Sequence, residues 1–396
     1  MKTGLKTSQN KAAKALKIFL IAGEASGDVL GGKLIESFKK LHPSANFAGI
    51  GGSHMEKSGM KMAFNYKDIA LMGFAEVLPK LFKILHRMGQ AIAAIKAYEP
   101  DILVTIDSPG FNFRVVSKVR KFFGKKFPII HYVAPTVWAY KKERAGLVAK
   151  LYDHILLLLP FEKPYFDEAG IDSTFVGHPI TEDTKLDSSP SLPKKAEVIN
   201  ILIMPGSRVQ EINHMGKIFA DSLNLLQTKH NLKVKALIPT LPFLEGKIQE
   251  IFSNVDAEIT TDPDKKVSFF AKSHLALVKS GTSSLEVASY GIPCVVGYKM
   301  SSITYWYLKR IVYAKYISLV NLLLGAPVIP ELIQQNCTPE NIASELYKLL
   351  DVTKYQKMQS QFQKSFKLLD TGSTHNPSEL AAQAILKCYE GKLTAK

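Results

Sequence analysis

Residues 278–297 read VKSGTSSLEVASYGIPCVVG: an apolar strand, a glycine turn, a short helix, a Gly-Pro turn and a second apolar strand. Residues 275–278 are apolar, and Ser280-Gly281-Thr282 interrupts them. Ser283 with Glu286 has the spacing of a capping box, opening a helix that ends near Gly291. Such a junction leaves backbone N–H groups free at the positive end of a helix dipole, beside steps small enough for a phosphate to approach. An ordinary well-capped αβ unit carries the same pattern. The stretch therefore sets the fold class, alternating α/β with parallel strands, and leaves the ligand open.

The junction recurs at residues 199–208, INILIMPGSR, where a strand runs into Pro205-Gly206-Ser207-Arg208 and helical spacing follows from Glu211 to Gln227. Ligands of open parallel sheets sit beyond the carboxyl ends of the strands, so the two turns can face one crevice. Arg208 is there either a bidentate phosphate partner or a surface arginine of a βα loop. A third junction, Gly23-Glu24-Ala25-Ser26-Gly27-Asp28, follows the apolar residues 18–22 and leads into an amphipathic helix from Val29 to Leu41. Neither it nor Gly49-Ile50-Gly51-Gly52 has the GxGxxG order, which argues against a dinucleotide site.

A chain of 396 residues is long for one core and implies two domains. With 46% apolar and 22% charged residues it suits a soluble globular enzyme, and no apolar run approaches the ~20 residues that span a bilayer. A formal charge of +16 fits nucleic acid, a phosphorylated substrate or an anionic membrane surface. Cys294, Cys337 and Cys388 have neither disulfide nor metal spacing, as expected in a reducing cytoplasm. Residues 1–17 read as a basic tail, 18–180 as a first domain, 181–197 as a Ser- and Pro-rich linker and 198–365 as a second domain. Residues 366–396 read as a helical tail that crosses to the first domain or to a partner subunit.

Within the first domain, Phe74, Val77, Leu78, Leu81, Phe82 and Leu85 follow helical spacing, with Lys80, Lys83, His86 and Arg87 interleaved. That composition suits either a core helix with a solvated rim or a helix lying in a membrane interface. The strand over 101–106 ends at Asp107-Ser108-Pro109-Gly110-Phe111-Asn112, which places Asp107 as a general base at the crevice or as a turn cap. Trp138 either stacks on a substrate or packs, and packing is the commoner fate. His178 lines the cleft or is structural. In the second domain Asp262-Pro263-Asp264 spells DxD, but the intervening proline and the following Lys265-Lys266 read as a turn before a helix instead of a metal site. Residues 298–317 mix aromatic and basic side chains, as at a membrane interface or a single-stranded nucleic-acid site.

Seven motifs in order, AGEASGD (22–28), IDSPGFN (106–112), VWAY (137–140), GHP (177–179), PGSR (205–208), SGTSSLE (280–286) and SLVNLL (318–323), make the chain similar to the lipid A disaccharide synthase family. These are bacterial glycosyltransferases of the GT-B fold, with two Rossmann-like doubly wound domains facing a central cleft. The resemblance implies inverting transfer of 2,3-diacylglucosamine from its UDP conjugate to the 6-hydroxyl of 2,3-diacylglucosamine 1-phosphate, without metal or cofactor. It assigns Asp107 as the base, and Gly206, Ser207, Arg208, Ser280, Gly281, Thr282, Ser283, Glu286 and Asn321 to the UDP-sugar, Glu286 at the ribose. It brings Gly23, Glu24, Ser26, Gly27 and Asn112 to the cleft from the first domain.

The acyl chains of both substrates then favour membrane contact through the helix carrying Phe82, at the anionic cytoplasmic face of the inner membrane. The resemblance also implies a homodimer exchanging C-terminal segments. Three positions depart from the family pattern: Gly110 where an acid is frequent, Tyr140 where tryptophan is common, and Val320 where proline is usual. The alternatives are a peptidoglycan N-acetylglucosaminyltransferase or a UDP-N-acetylglucosamine 2-epimerase, which share the layout. An RNA-binding module would explain the charge, but no recognisable RNA-binding motif is present.

Overall fold

In a computed structural model that describes residues 15–69, 77–186, 189–193 and 197–394 (77–81 without their side chains), the apolar runs become two parallel sheets. The first holds β1 (Lys17–Ala22), β2 (Asn46–Gly51), β3 (Lys61–Asn65), β4 (Ile102–Ile106), β5 (Ile129–Tyr132), β6 (His154–Leu157) and β7 (Ser173–Phe175), in the order β3-β2-β1-β4-β5-β6-β7. The second holds β8 (Ile199–Met204), β9 (Val234–Pro239), β10 (Ala257–Thr260), β11 (Leu275–Lys279), β12 (Cys294–Tyr298) and β13 (Glu331–Ile333), in the order β10-β9-β8-β11-β12-β13. Helices cover both faces, which is why the central strands carry near-continuous runs such as ILVTI and LALV, buried on both sides.

Strand order reverses between β1 and β4 in the first sheet and between β8 and β11 in the second. The residues just beyond these four carboxyl ends are Gly23, Asp107, Pro205 and Ser280. All four motifs singled out in the sequence thus flank the switch points, where open α/β sheets bind ligands. One position fixes the first sheet's spacing: Gly49 in β2 pairs with Leu20 of β1, and a Cβ there would overlap the Leu20 carbonyl.

The chain crosses between the domains twice, at residues 178–198 and 370–376. The first crossing is pinned, with Lys185 N–H donating to the Ser289 carbonyl (2.8 Å) and Gln359 Nε2 to the Pro190 carbonyl (2.9 Å). Helix Val352–Leu369 extends past the expected boundary at 365, and its Leu369 carbonyl accepts from His178 N–H at 3.3 Å. Helix Pro377–Thr394 then returns to the first domain within the same chain and lies along helix Ala25–Leu41. Ala381, Ala382 and Ile385 are fully buried there, Ser378 donates to Glu182, and Lys392 pairs with Asp153 at 2.9 Å.

The helical spacing around Phe82 becomes helix Val77–Tyr98. Ile84, Ala91 and Ile95 face the core, while Phe82 is 83% and Leu85 47% exposed. Phe74 lies outside the described residues, and the side chains of Val77, Leu78 and Leu81 are not described.

Candidate active site at the domain cleft

The first wall is built from the turns after β1 and β4. Helix Ala25–Leu41 begins four residues earlier than its spacing suggested, with Glu24 as N-cap and no side-chain cap among the described residues. Glu24, Ala25 and Ser26 at its start are exposed, while Gly23 and Gly27 on either side are buried. Gly27 allows this close seat, since a Cβ would come within 3.2 Å of the Ala22 side chain and 3.5 Å of the Ile106 carbonyl. A Cβ on Gly23 would overlap Ser108, so the two turns touch. Asp28, buried in the same helix, accepts from the N–H groups of Gly52, His54 and Met55 at 2.7, 3.1 and 3.1 Å, locking the β2 turn beside it.

Asp107 and Ser108 are both left-handed, with φ of 51° and 46°. Non-glycine residues adopt this only when their surroundings impose it, at about 1–3 kcal/mol each. The imposing group is Asn112, fully buried, whose Nδ2 donates to the Asp107 carbonyl at 2.7 Å. Ser108 N–H donates to Asp107 Oδ1 at 2.7 Å, and helix Pro109–Phe123 follows. Burial raises the Asp107 carboxyl, and the Ser108 N–H offsets part of the rise. Glu24 stands close enough to feel both walls. Burial raises its carboxyl first, the Asp107 charge adds to this, and Arg208 from the second domain opposes it. Solvent reaches the Glu24 side chain, so these effects act in a partly wet cleft.

The second wall encloses a cavity of about 460 Å³ beyond β8, β9, β10 and β11. Gly206, Ser207, Ser280, Gly281, Thr282 and Ser283 line it; Arg208, Glu286 and Asn321 do not. Gly206 has φ of 130°, and a Cβ there would come within 2.6 Å of the Glu211 side chain. Glu211, missed in the sequence, fills that space. It accepts from Ser207 N–H at 2.9 Å, pairs with Lys279 at 2.9 Å and lies 3.8 Å from Arg208. Burial pushes its carboxyl up, but Lys279, Ser207 N–H and Arg208 together hold it below the usual range. This acid thus holds Lys279 at the pocket, with the exposed Arg208 at the longer distance. A lysine ending the otherwise apolar LALVK strand was the available signal. We expect Glu211→Ala to weaken pyrophosphate binding at this pocket roughly tenfold in calorimetric titration, because Lys279 loses the partner that holds it there.

Two expectations are corrected. The capping box does not form: helix Thr282–Ser289 starts one residue before Ser283, with Gly281 as N-cap at φ 138°. Ser284 Oγ instead donates to the Gly281 carbonyl (2.9 Å), and Glu286 pairs with Lys266, a cavity residue, at 2.7 Å. Asn321 is not at the cavity surface. It is fully buried, its Oδ1 accepts from Val328 and Ile329 N–H, and its Nδ2 donates to the Ile329 carbonyl and to Glu331. Glu331 in turn accepts from Ile317 and Ser318 N–H, and the Ile317 carbonyl accepts from Ser280 Oγ. Asn321 therefore reaches the cavity only through this relay.

Other candidates find structural places. Trp138 packs edge-on to Phe161 and donates from Nε1 to Glu162 at 3.2 Å. Burial pushes the Glu162 carboxyl up to about 8, against hydrogen bonds from Leu159, Trp138 and Leu158. His178 Nδ1 accepts from Ile180 N–H, capping a short turn, and burial lowers its pKa to about 4. Asp262 lines the cavity, and its Oδ1 accepts from Asp264 N–H at the head of helix Pro263–Lys272. Gly110 is open, Val320 is fully buried, and Tyr140 bridges to Val312 across the domains.

Two doubly wound domains whose switch points share a cleft, one of them holding a glycine-lined pocket of about 460 Å³, define the GT-B architecture of nucleotide-sugar enzymes. Solved structures agree on the fold. The Neisseria meningitidis UDP-GlcNAc 2-epimerase bound to UDP-GlcNAc superposes with a TM-score of 0.63 at 14% identity, covering 94% of this chain and 100% of that one. MurG of Acinetobacter baumannii gives 0.58 at 13%, covering 94% and 99%. Residues 18–385 match the family described as lipid-A-disaccharide synthetase. The lipid-A-disaccharide synthase of Rhodospirillum centenum is 37% identical over 394 residues, 96% of this chain and 97% of its own. That of Rickettsia prowazekii is 37% identical over 378 residues, 93% and 98%. The chain belongs to the lipid-A-disaccharide synthetase family, and it is a glycosyltransferase of lipid A biosynthesis. No helix among the described residues is long and apolar enough to cross a membrane.

Proposed function

We propose that the chain transfers 2,3-diacylglucosamine from UDP-2,3-diacylglucosamine to the 6-hydroxyl of 2,3-diacylglucosamine 1-phosphate. The products are the β-1,6 disaccharide 1-phosphate and UDP. The observation that carries this reading is the Asp107 carboxylate, held in a left-handed turn at one switch point, with Glu24 beside it close enough to feel both Asp107 and Arg208 of the second wall. Asp107 takes the hydroxyl proton as O6 bonds to the anomeric carbon, while the bond from that carbon to the diphosphate breaks on the opposite face and UDP leaves with its electrons. The charge gathering on the diphosphate is met by Lys279, Arg208 and the backbone N–H groups opening helix Thr282–Ser289. Glu286, which does not line the cavity but pairs with its residue Lys266, accepts from the ribose hydroxyls.

The acyl chains place the enzyme on the cytoplasmic face of the inner membrane, bound peripherally through helix Val77–Tyr98. Its exposed Phe82 and Leu85 are flanked by Lys83 and Arg87, both paired to Asp68. A homodimer exchanging helix Pro377–Thr394 would reuse the surfaces that this helix covers within one chain, with residues 370–376 as its hinge.

The test is UDP release from UDP-2,3-diacylglucosamine in EDTA, with and without the acceptor. Release that requires the acceptor and survives the chelator is expected. Folded protein that releases nothing, or that instead isomerises UDP-N-acetylglucosamine alone, overturns the reading.

A further inference from the structure

The ends of the aromatic and basic stretch 298–317 reach the site just described, through Tyr298 beneath Lys279 and the Ile317 carbonyl at Ser280, but its middle takes no part in it. Its core is helix Ser302–Ile311, and against the described residues this helix buries none of its side chains. Tyr305, Leu308 and Ile311 are half-buried and form its inner face. The opposite stripe is Ile303, Trp306, Tyr307 and Arg310, spaced i, i+3, i+4 and i+7. In it Ile303 is 83%, Trp306 61% and Tyr307 55% exposed. The Arg310 guanidinium stacks on the Trp306 ring with its carbon 3.3 Å from the ring centre. Lys299, Lys309, Arg310 and Lys315 make four cations in the stretch, and it contains no carboxylate. A groove of about 710 Å³ runs beside the helix, lined by Lys299, Tyr305, Trp306, Lys309 and Arg310.

We propose that helix Ser302–Ile311 is a second membrane contact, carried by the second domain, which sets Ile303 and Trp306 into an anionic bilayer with lipid phosphates in the adjoining basic groove. The proposal rests on the peripheral-membrane reading above and extends it to the other half of the molecule. Topology puts each contact at the carboxyl edge of its own sheet. Helix Ser302–Ile311 follows the carboxyl end of β12, whereas helix Val77–Tyr98 precedes β4, so its Phe82 end lies at the carboxyl edge of the first sheet. Both edges are the cleft edges. The segment after the second helix also touches the first domain, since Tyr313 N–H donates to the Ala139 carbonyl at 3.0 Å and Val312 bridges to Tyr140.

Charge selects the occupant. An interfacial helix places its apolar face ~5–10 Å into the headgroup and acyl boundary with cations beside it, and anionic lipid supplies their counterions. A symmetric contact with a second copy would set four cations against four. A nucleic acid strand would satisfy the cations and the aromatic rings but would leave the Ile303 side chain without an apolar partner.

The chain has two tryptophans, and Trp138 is tied to Glu162 inside the first domain, so the difference between wild type and Trp306→Phe isolates Trp306. The full chain is mixed with phosphatidylglycerol/phosphatidylethanolamine vesicles whose acyl chains carry bromine, which quenches tryptophan at bilayer depth. Wild-type emission is expected to shift to the blue and lose about half its intensity, as when one of two tryptophans enters the bilayer interface, and Trp306→Phe is expected to lose none. Ile303→Asp is expected to lower vesicle partitioning about tenfold, a typical effect of losing one large apolar anchor, with circular dichroism and UDP titration unchanged.

Equal quenching of wild type and Trp306→Phe, in protein that still sediments with the vesicles, overturns this proposal alone and leaves the first-domain contact standing. Folded protein that does not sediment overturns the membrane reading and this proposal together. A Trp306 shift produced by single-stranded RNA but not by vesicles overturns it in favour of nucleic acid. A shift that follows protein concentration alone, and vanishes as Ile303→Asp becomes monomeric, overturns it in favour of a subunit contact.

Discussion

Asp107→Asn is expected to lower acceptor-dependent UDP release ~10²–10⁴-fold, the usual worth of a positioned base, with UDP affinity unchanged. Asparagine is the informative replacement. It tolerates the left-handed φ of 51° and its Oδ1 still accepts from Ser108 N–H, so the turn survives while the proton acceptor is lost. Asp107→Ala would change the backbone energetics as well and confuse the two effects. The pH profile of the wild type follows from the same carboxyl. Burial raises its pKa, and a base works only when deprotonated. Thus kcat/KM is expected to fall as pH decreases through a value above the ordinary aspartate range, and to be flat above it. An acid limb at or below the ordinary aspartate value would assign the proton transfer elsewhere.

Gly49→Ala is expected to damage the fold more than any change in the cleft, by ~3 kcal/mol or more, appearing as a lower denaturant midpoint at unchanged slope or as insoluble protein. The added Cβ would overlap the Leu20 carbonyl, which belongs to a buried strand and has no rotamer through which to escape. Gly110→Ala is the control, because a Cβ there meets nothing within 4 Å. Wild-type stability in Gly49→Ala would mean that β1 and β2 pair in another register.

Alternation and the strand-end turns were legible because strands buried on both faces must be apolar throughout, and small residues must follow them where a helix starts close by. That signal is local. What escaped depends on contacts distant in sequence or on a choice between neighbouring residues. Ser283 and Gly281 both suit an N-cap, and only the backbone angle of Gly281 decides between them. Glu211 looks like one more polar residue on a helix until Gly206 is seen to have surrendered its side-chain space to it. Asp28 reads as a first-turn acid, yet its carboxylate caps the start of helix Ser53–Lys57, 24 to 27 residues away. Asn321 matched a family position whose expected place is near the diphosphate, and no spacing rule reveals that residues 328–331 consume both ends of its amide.

The strap formed by helix Pro377–Thr394 has a consequence for biosynthesis. The flank of helix Ala25–Leu41 is finished by residues made only after the entire second domain, so the ribosome releases a second domain able to fold while the first still lacks its cover. The domain that begins first is completed last. Its folding includes a loop closure spanning the whole second domain, and the nascent chain carries an unpaired apolar flank until that closure occurs.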